Sequence, residues 1–253
     1  MNNSVNMNTY SLLFSSCLII ISLFFSYKEK LDLEKETLIG VIRAIIQLIF
    51  IGYLLDLIFS IKNPIYTSLL LLFMIVNASY NAGKRGNGIK SKYIISFISI
   101  SLGTFITLII LVLAGSIKYE PSQIIPVGGM VITNAMISLG LCYKQLLTNF
   151  KSKRDEIEIK LSLGADIKSS SVEIIRDSIK TGMLPMIDSM KTLGIVSLPG
   201  MMTGLILAGT PPVQAIKYQL MVTFMILSTT SISSYLACYL AYKGFFNERK
   251  QLL

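Results

Sequence analysis

Apolar residues in this chain come in long blocks rather than in alternating or one-sided stripes, and charge, Pro and Gly mark where each block ends. Seven such blocks can be read: Tyr10–Tyr27, Thr37–Phe59, Pro64–Tyr80, Tyr93–Gly115, Ile124–Cys142, Met186–Ala208 and Leu220–Tyr242. Each holds roughly 17 to 25 residues, enough for a helix to cross a hydrocarbon layer of about 30 Å. The pattern predicts an all-α, polytopic membrane protein with about seven spans, forming one domain over residues 1–253. The first block has no Lys or Arg ahead of it and no small-residue cleavage site behind it, so it is expected to be a retained helix.

Composition agrees. Hydrophobic residues make up 53% of the chain, charged residues only 15%, and mean hydropathy is +0.65. A soluble enzyme, a disordered chain and a disulfide scaffold are thereby excluded. The net charge of +9 would in a soluble protein point to nucleic acid, but here its distribution gives another reading. Lys28, Lys30 and Lys35 follow the first block, Lys84, Arg85, Lys90 and Lys92 the third, the run from Lys144 to Lys180 the fifth, and Lys243, Arg249 and Lys250 the seventh. Only Lys62, Lys118 and Lys217 fall on the opposite side. Positive residues are retained in the cytoplasm, so the N-terminus is expected outside and the C-terminus inside. The partner of this charge is then anionic lipid, not nucleic acid.

The residue inventory narrows the chemistry further. There is no His and no Trp, so a metal-ligand set is unknown and would have to come from oxygen or sulfur groups. Cys17, Cys142 and Cys238 form no CxxC pair and are expected to be packing thiols. No phosphate-binding Gly-rich motif ending in Gly-Lys-Ser/Thr occurs, and Gly83-Lys84-Arg85-Gly86-Asn87-Gly88 has the wrong spacing for one. Without His, a Ser or Cys triad cannot form. No enzyme activity and no resident cofactor are expected.

Polar residues within spans therefore carry the functional candidates, because burying them in lipid is expensive. Arg43 and Gln47 lie four residues apart in the second span, while Asp188 and Lys191 lie three apart in the sixth and are expected to pair. If buried, one member left alone would destabilise more than loss of both. Met183, Met186 and Met190 fall on nearly the opposite face, as packing groups or soft ligands. Two backbone breaks are expected: Pro126 with Gly128-Gly129 in the fifth span, and the run from Ser197 through Pro199, Gly200, Met201 and Met202 to Gly204 in the sixth, where Pro199 should kink the helix. Close packing through small residues is the competing explanation for both.

Tyr143 to Pro185 holds most of the remaining charge and is expected to be a cytoplasmic loop of two short amphipathic helices lying along the membrane surface. Ile157, Leu161 and Gly164 stripe the first, which Gly164 should end, and a run of serines opens the second.

Leu161-Ser162-Leu163-Gly164-Ala165, followed by Ile174-Ile175-Arg176-Asp177-Ser178 and Met183-Leu184-Pro185, resembles the coupling loop of bacterial ABC permeases. The run from Asp188 to Gly204, together with Ser26-Tyr27-Lys28-Glu29-Lys30-Leu31 and Gly40 to Leu48, narrows this. The chain resembles the FetB family of iron-export permeases, whose relatives include plant aluminium-tolerance half-transporters, collinearly from about Ser11 to Asn247. The resemblance implies a permease of the bacterial cytoplasmic membrane that dimerises and recruits two copies of a FetA-type ATP-binding subunit. It implies that Glu158, Leu161, Leu163, Gly164 and Ala165 couple to the ATPase. It further implies a path or gate drawing on Arg43, Gln47, Asp188, Lys191, Pro199, Gly200, Met201 and Met202. Export of a nucleotide sugar is the rival substrate reading, and an autonomous channel or intramembrane carboxylate enzyme the rival class.

Overall fold

A computed structural model describes residues 10, 14–61 and 63–252. Lys62 and positions 11–13 of the first expected span lie outside the described residues. Helices dominate: α1 Cys17–Lys28, α2 Glu34–Ile61, α3 Pro64–Lys84, α4 Lys92–Leu113, α5 Pro121–Ser152, α6 Arg154–Ser162, α7 Ile167–Thr192, α8 Gly200–Leu207 and α9 Pro212–Ala241. A 3₁₀ turn, Tyr242–Phe245, follows. Among the described residues the only strand-like pairings are two isolated bridges, Leu193 with Ser197 and Phe246 with Leu252. Five helices are long and apolar enough to cross a membrane, and Cys17–Lys28 is a shorter apolar one.

The chain forms two compact units, Met1–Ile61 and Lys62–Leu253. In the first, α1 and α2 are joined by a tight turn in which Lys30 and Asp32 adopt positive φ. Ser26 Oγ donates to Glu34 Oε1 across 2.8 Å, tying the end of one helix to the start of the next. Glu34 and Glu36 occupy the first turn of α2, where carboxylates meet the positive end of the helix dipole.

In the second unit α5 and α9 are central: α5 packs on α3, α4, α7 and α9, and α9 also on α4, α7 and α8. Pro64, Pro121 and Pro212 start their helices at positions whose N–H would have no helical partner anyway. Ile75, Ile100, Ile124, Val131, Leu139 and Leu146 are fully buried, while Leu69, Phe73, Ile94 and Ile109 face outward. Lipid is as apolar as leucine, so burial alone does not hold such helices together; close contact and hydroxyl bonds do. Thr107 Oγ1 and Thr229 Oγ1 lie 2.7 Å apart, Ser138 Oγ and Ser234 Oγ 2.6 Å apart, and Ser233 donates to the Ser99 carbonyl at 3.0 Å. Bonds of this kind contribute about 0.6 kcal/mol each, rarely above 2.

Three expectations are corrected. Pro126 does not break the fifth span: α5 runs through it from Pro121 to Ser152, the proline forgoing the one bond an N–H there would make to the Ser122 carbonyl while neighbouring helices hold the rest. Gly128 and Gly129 instead let α3 close in, since a Cβ on Gly128 would lie 2.5 Å from Leu71 Cδ2 and one on Gly129 3.0 Å from Met74 Cε. The stretch after Cys142 is not a surface loop of two short helices. α5 stays helical to Ser152 and buries Tyr143, Leu146 and Phe150, and α7 is one 26-residue helix with Pro185 inside it. Its Ile174, Ile175, Ser178 and Gly182 are buried against the bundle. Lastly, Met186–Ala208 is not a single kinked helix: α7 ends at Thr192 and α8 begins at Gly200.

Candidate functional site

The expected coupling residues form one compact turn. α6 buries Ile157 and half-buries Leu161, and it closes with a paired cap: Ala165 N–H donates to the Lys160 carbonyl and Gly164 N–H to that of Leu161, both at 3.0 Å. Gly164 has φ +88°, the left-handed geometry such a cap requires, and open space around its Cα. Ile159 and Leu163 are exposed, Leu163 by 83%, on an element otherwise rich in ion pairs. Arg154 meets Glu158 at 2.8 Å and Lys160 meets Glu156 at 2.6 Å, each one turn apart. The hydrogen bond from the Lys160 ammonium, and then its charge, hold the Glu156 carboxyl below the usual range; the same bond holds Lys160 above its own.

Behind this turn, Asp177 of α7 accepts from Asn149 Nδ2 at 2.7 Å and from Gln145 Nε2 at 3.1 Å, both on α5. The Asn149 bond, aided by that of Gln145, outweighs partial desolvation and keeps the Asp177 carboxyl below its ordinary value. Farther along α7, Ser138 donates to the Gly182 carbonyl at 2.7 Å. A side chain at Gly182 would collide with Cys142 Sγ. Cys142 and Cys238, far apart in sequence, are neighbours here, both buried, with Ser138 and Ser234 beside Cys142. Sequence reasoning missed this seam; the small residues at 138, 182 and 234 were its available signal.

The expected path residues fall at several places. Arg43 and Gln47 lie one turn apart on α2 of the first unit. Asp188 and Lys191 do pair, at 2.9 Å, near the end of α7, but their side chains are 62% and 67% exposed within the chain. Within the single chain both groups face outward, while Met183, Met186 and Met190 on the other side are half-buried. Between α7 and α8, residues 193–199 form a tight turn in which Gly194 has φ +81° and donates to the Ser197 carbonyl at 3.0 Å. Ile195, Val196 and Leu198 point outward from it. Pro199 caps α8 in extended geometry, and its carbonyl accepts the Thr203 N–H at 3.0 Å. Gly200, Met201 and Met202 form the first turn of α8, the two methionines half-buried. Among the described residues no three His, Cys, Asp or Glu side chains gather as a metal cage.

Residues 9–246 match the uncharacterised protein family UPF0014. The chain is 51% identical to the probable iron export permease protein FetB of Escherichia coli, over 99% of this chain and 97% of that one. It is 35% identical to protein ALUMINUM SENSITIVE 3 of Arabidopsis thaliana, over 92% of this chain and 86% of that one. UPF0014 membrane protein YjkA of Bacillus subtilis is also 35% identical, with 97% of this chain and 98% of that one covered. No solved structure shows a significant match. With five long apolar helices and near full-length agreement with these membrane proteins, the chain is a multi-pass bacterial membrane protein belonging to the UPF0014 family, together with FetB.

Proposed function

We propose that this protein is the permease subunit of an ABC exporter that moves iron or a related metal cation out of the cytoplasm, driven by ATP hydrolysed on a separate FetA-type subunit. The observation that carries this reading is the 51% identity, over nearly both full lengths, to a protein named as a probable iron export permease. The geometry supports it at the coupling turn. Ile159 and Leu163 are apolar and exposed on an element rich in ion pairs, so another protein is the natural cover.

In this reading Glu158, Leu161, Leu163, Gly164 and Ala165 meet the ATPase, and two copies of the chain assemble with two ATPase subunits. Seven crossings, with the α7 end and α8 together making the sixth, put the coupling turn and the positive residues in the cytoplasm. The turn at 193–199 is the gate, with Asp188 and Lys191 at its cytoplasmic mouth and Met201 and Met202 beyond it. Arg43 and Gln47 supply polar groups on α2. Weak oxygen and thioether contacts suit export, since an ion held tightly would not leave.

The test is transport into inside-out vesicles holding the chain and the purified FetA-type subunit, supplied with ATP and either ferrous iron or a nucleotide sugar. ATP-dependent iron uptake is expected. Uptake of the nucleotide sugar alone would refute the cargo assignment, and uptake of either without the ATPase would refute the ABC assignment.

A further inference from the structure

Ser-x-x-x-Cys occurs twice in the bundle, as Ser138-Leu139-Gly140-Leu141-Cys142 on α5 and as Ser234-Tyr235-Leu236-Ala237-Cys238 on α9. A step of four residues is about one helical turn, so each serine shares a face with its cysteine. The two helices run side by side in the same direction: Ser138 Oγ lies 2.6 Å from Ser234 Oγ, and one turn on Cys142 neighbours Cys238. Two thiols and two hydroxyls thus gather between α5 and α9, and none of the four residues is more than 3% exposed. α7 closes the third side through Gly182, where any side chain would collide with the Cys142 sulfur. Ser138 donates to the Gly182 carbonyl at 2.7 Å, so in the serine pair Ser234 is the donor and keeps both of its lone pairs.

We infer that this cluster is a binding site for a thiophilic divalent cation, of the class of ferrous iron, cobalt or zinc, held by the Cys142 and Cys238 thiolates with serine oxygen beside them. Binding displaces both thiol protons: a dication and two thiols become a neutral dithiolate complex, and two protons leave to water. Charge selects the valence. Two thiolates cancel a dication, so no net charge is left in the buried cluster, where an unpaired one would be costly. Sulfur selects the metal, because thiolates favour transition ions over magnesium and calcium, which take oxygen. With no third charged ligand gathered among the described residues, the hold is looser than in the closed four-ligand sites of structural zinc. The site rests on the packing of α5, α7 and α9 alone, and binding is expected whether or not the chain exports metal.

Titration of the reduced full-length chain in nanodiscs with cobaltous ion tests this. One cobalt per chain is expected, with a thiolate-to-cobalt charge-transfer band and the release of two protons. Cys142→Ser and Cys238→Ser are each expected to abolish the band, and Ser234→Ala to weaken binding about tenfold. Cys17→Ser should bind like the wild type, since Cys17 is exposed on α1. X-ray absorption at the cobalt edge of the Cys17→Ser chain, whose remaining cysteines are Cys142 and Cys238, should show two sulfur neighbours, and it decides the matter if a variant at either position misfolds. A wild-type chain that gives no band overturns the inference, as does a band that survives either cysteine substitution in a chain that melts like the wild type. Fewer than two sulfurs around cobalt in Cys17→Ser also overturns it. Each of these results leaves the vesicle export test untouched, so the site and the export reading fail separately.

Discussion

Asn149 on α5 donates a 2.7 Å hydrogen bond to the carboxylate of Asp177 on α7, and this bond braces the helix leading to the coupling turn against the helix that follows it. α7 is continuous from Ile167, just after Gly164, to Thr192 at the edge of the proposed gate. If the coupling turn moves as proposed, α7 is the element that would carry the motion, with the Asn149–Asp177 contact near its midpoint.

That brace has a pH signature. Because the folded-state pKa of Asp177 is depressed, its contribution is present at pH above the unfolded carboxylate value of about 3.9. It is lost as pH falls through the lower folded value. Hydrogen exchange of α7 amides is expected to be unchanged from pH 7 to about 5 after correction for intrinsic rates, and to quicken only below about pH 4. Asp177→Ala should show the faster exchange already at pH 7 and lose the acid-dependent step.

Gly182 leaves the space that Cys142 fills. Gly182→Ala places a methyl group on Cys142 Sγ and 3.0 Å from the Ser138 carbonyl, so the thermal midpoint in detergent should drop by the equivalent of about 1–3 kcal/mol. Adding Cys142→Ala removes the clashing sulfur and should recover part of the loss. Additive losses in the double variant would show that the two helices do not meet here.

Neutralising Asp188 should separate folding from transport. An ion pair this exposed contributes about 0–1 kcal/mol, so Asp188→Asn and the double variant with Lys191→Met should both express and melt like the wild type. Vesicle export should fall in both if the carboxylate meets the cargo, and in the single variant alone if pairing is what matters. Normal export by Asp188→Asn would remove the pair from the mechanism.

Gly194, more than Pro199, holds the α7–α8 break. A non-glycine residue at φ +81° is strained by about 1–2 kcal/mol, so Gly194→Ala should destabilise the turn and depress export. Pro199 already lies outside the helices in geometry that many residues adopt, so Pro199→Ala should leave the break in place. Spin labels at Ser189 and Leu205 would report a single long helix if this is wrong.

The orientation expected from charge can be read directly. Single cysteines at Asn3 and Asn247 in a Cys-free background should react with impermeant reagent from opposite sides of the membrane. Reaction of both from the same side would mean an even number of crossings.

The long apolar runs were enough to determine a polytopic helical protein, because a lipid-crossing chain must satisfy its backbone within each segment. Helix ends were equally local: Pro64, Pro121 and Pro212 at starts, and Gly164 with its left-handed cap at a stop. The motif around Gly164 and the run to Gly204 also determined the family. Packing was not legible. Pro126 and the glycines after it read as a break, yet they sit inside a continuous helix, the glycines against α3, since a glycine that relieves strain and one that admits a neighbour look alike in one dimension. Tyr143 to Pro185 read as surface because of its charges, but its buried stripe of Ile174, Ile175, Ser178 and Gly182 had a partner that only the bundle supplies. Asp188 and Lys191 were paired by their spacing, which is a local matter; whether they are buried was decided by which face of α7 the other helices take. The meeting of Cys142 with Cys238 was likewise a tertiary fact, because contact between residues so distant in sequence depends on how whole helices pack.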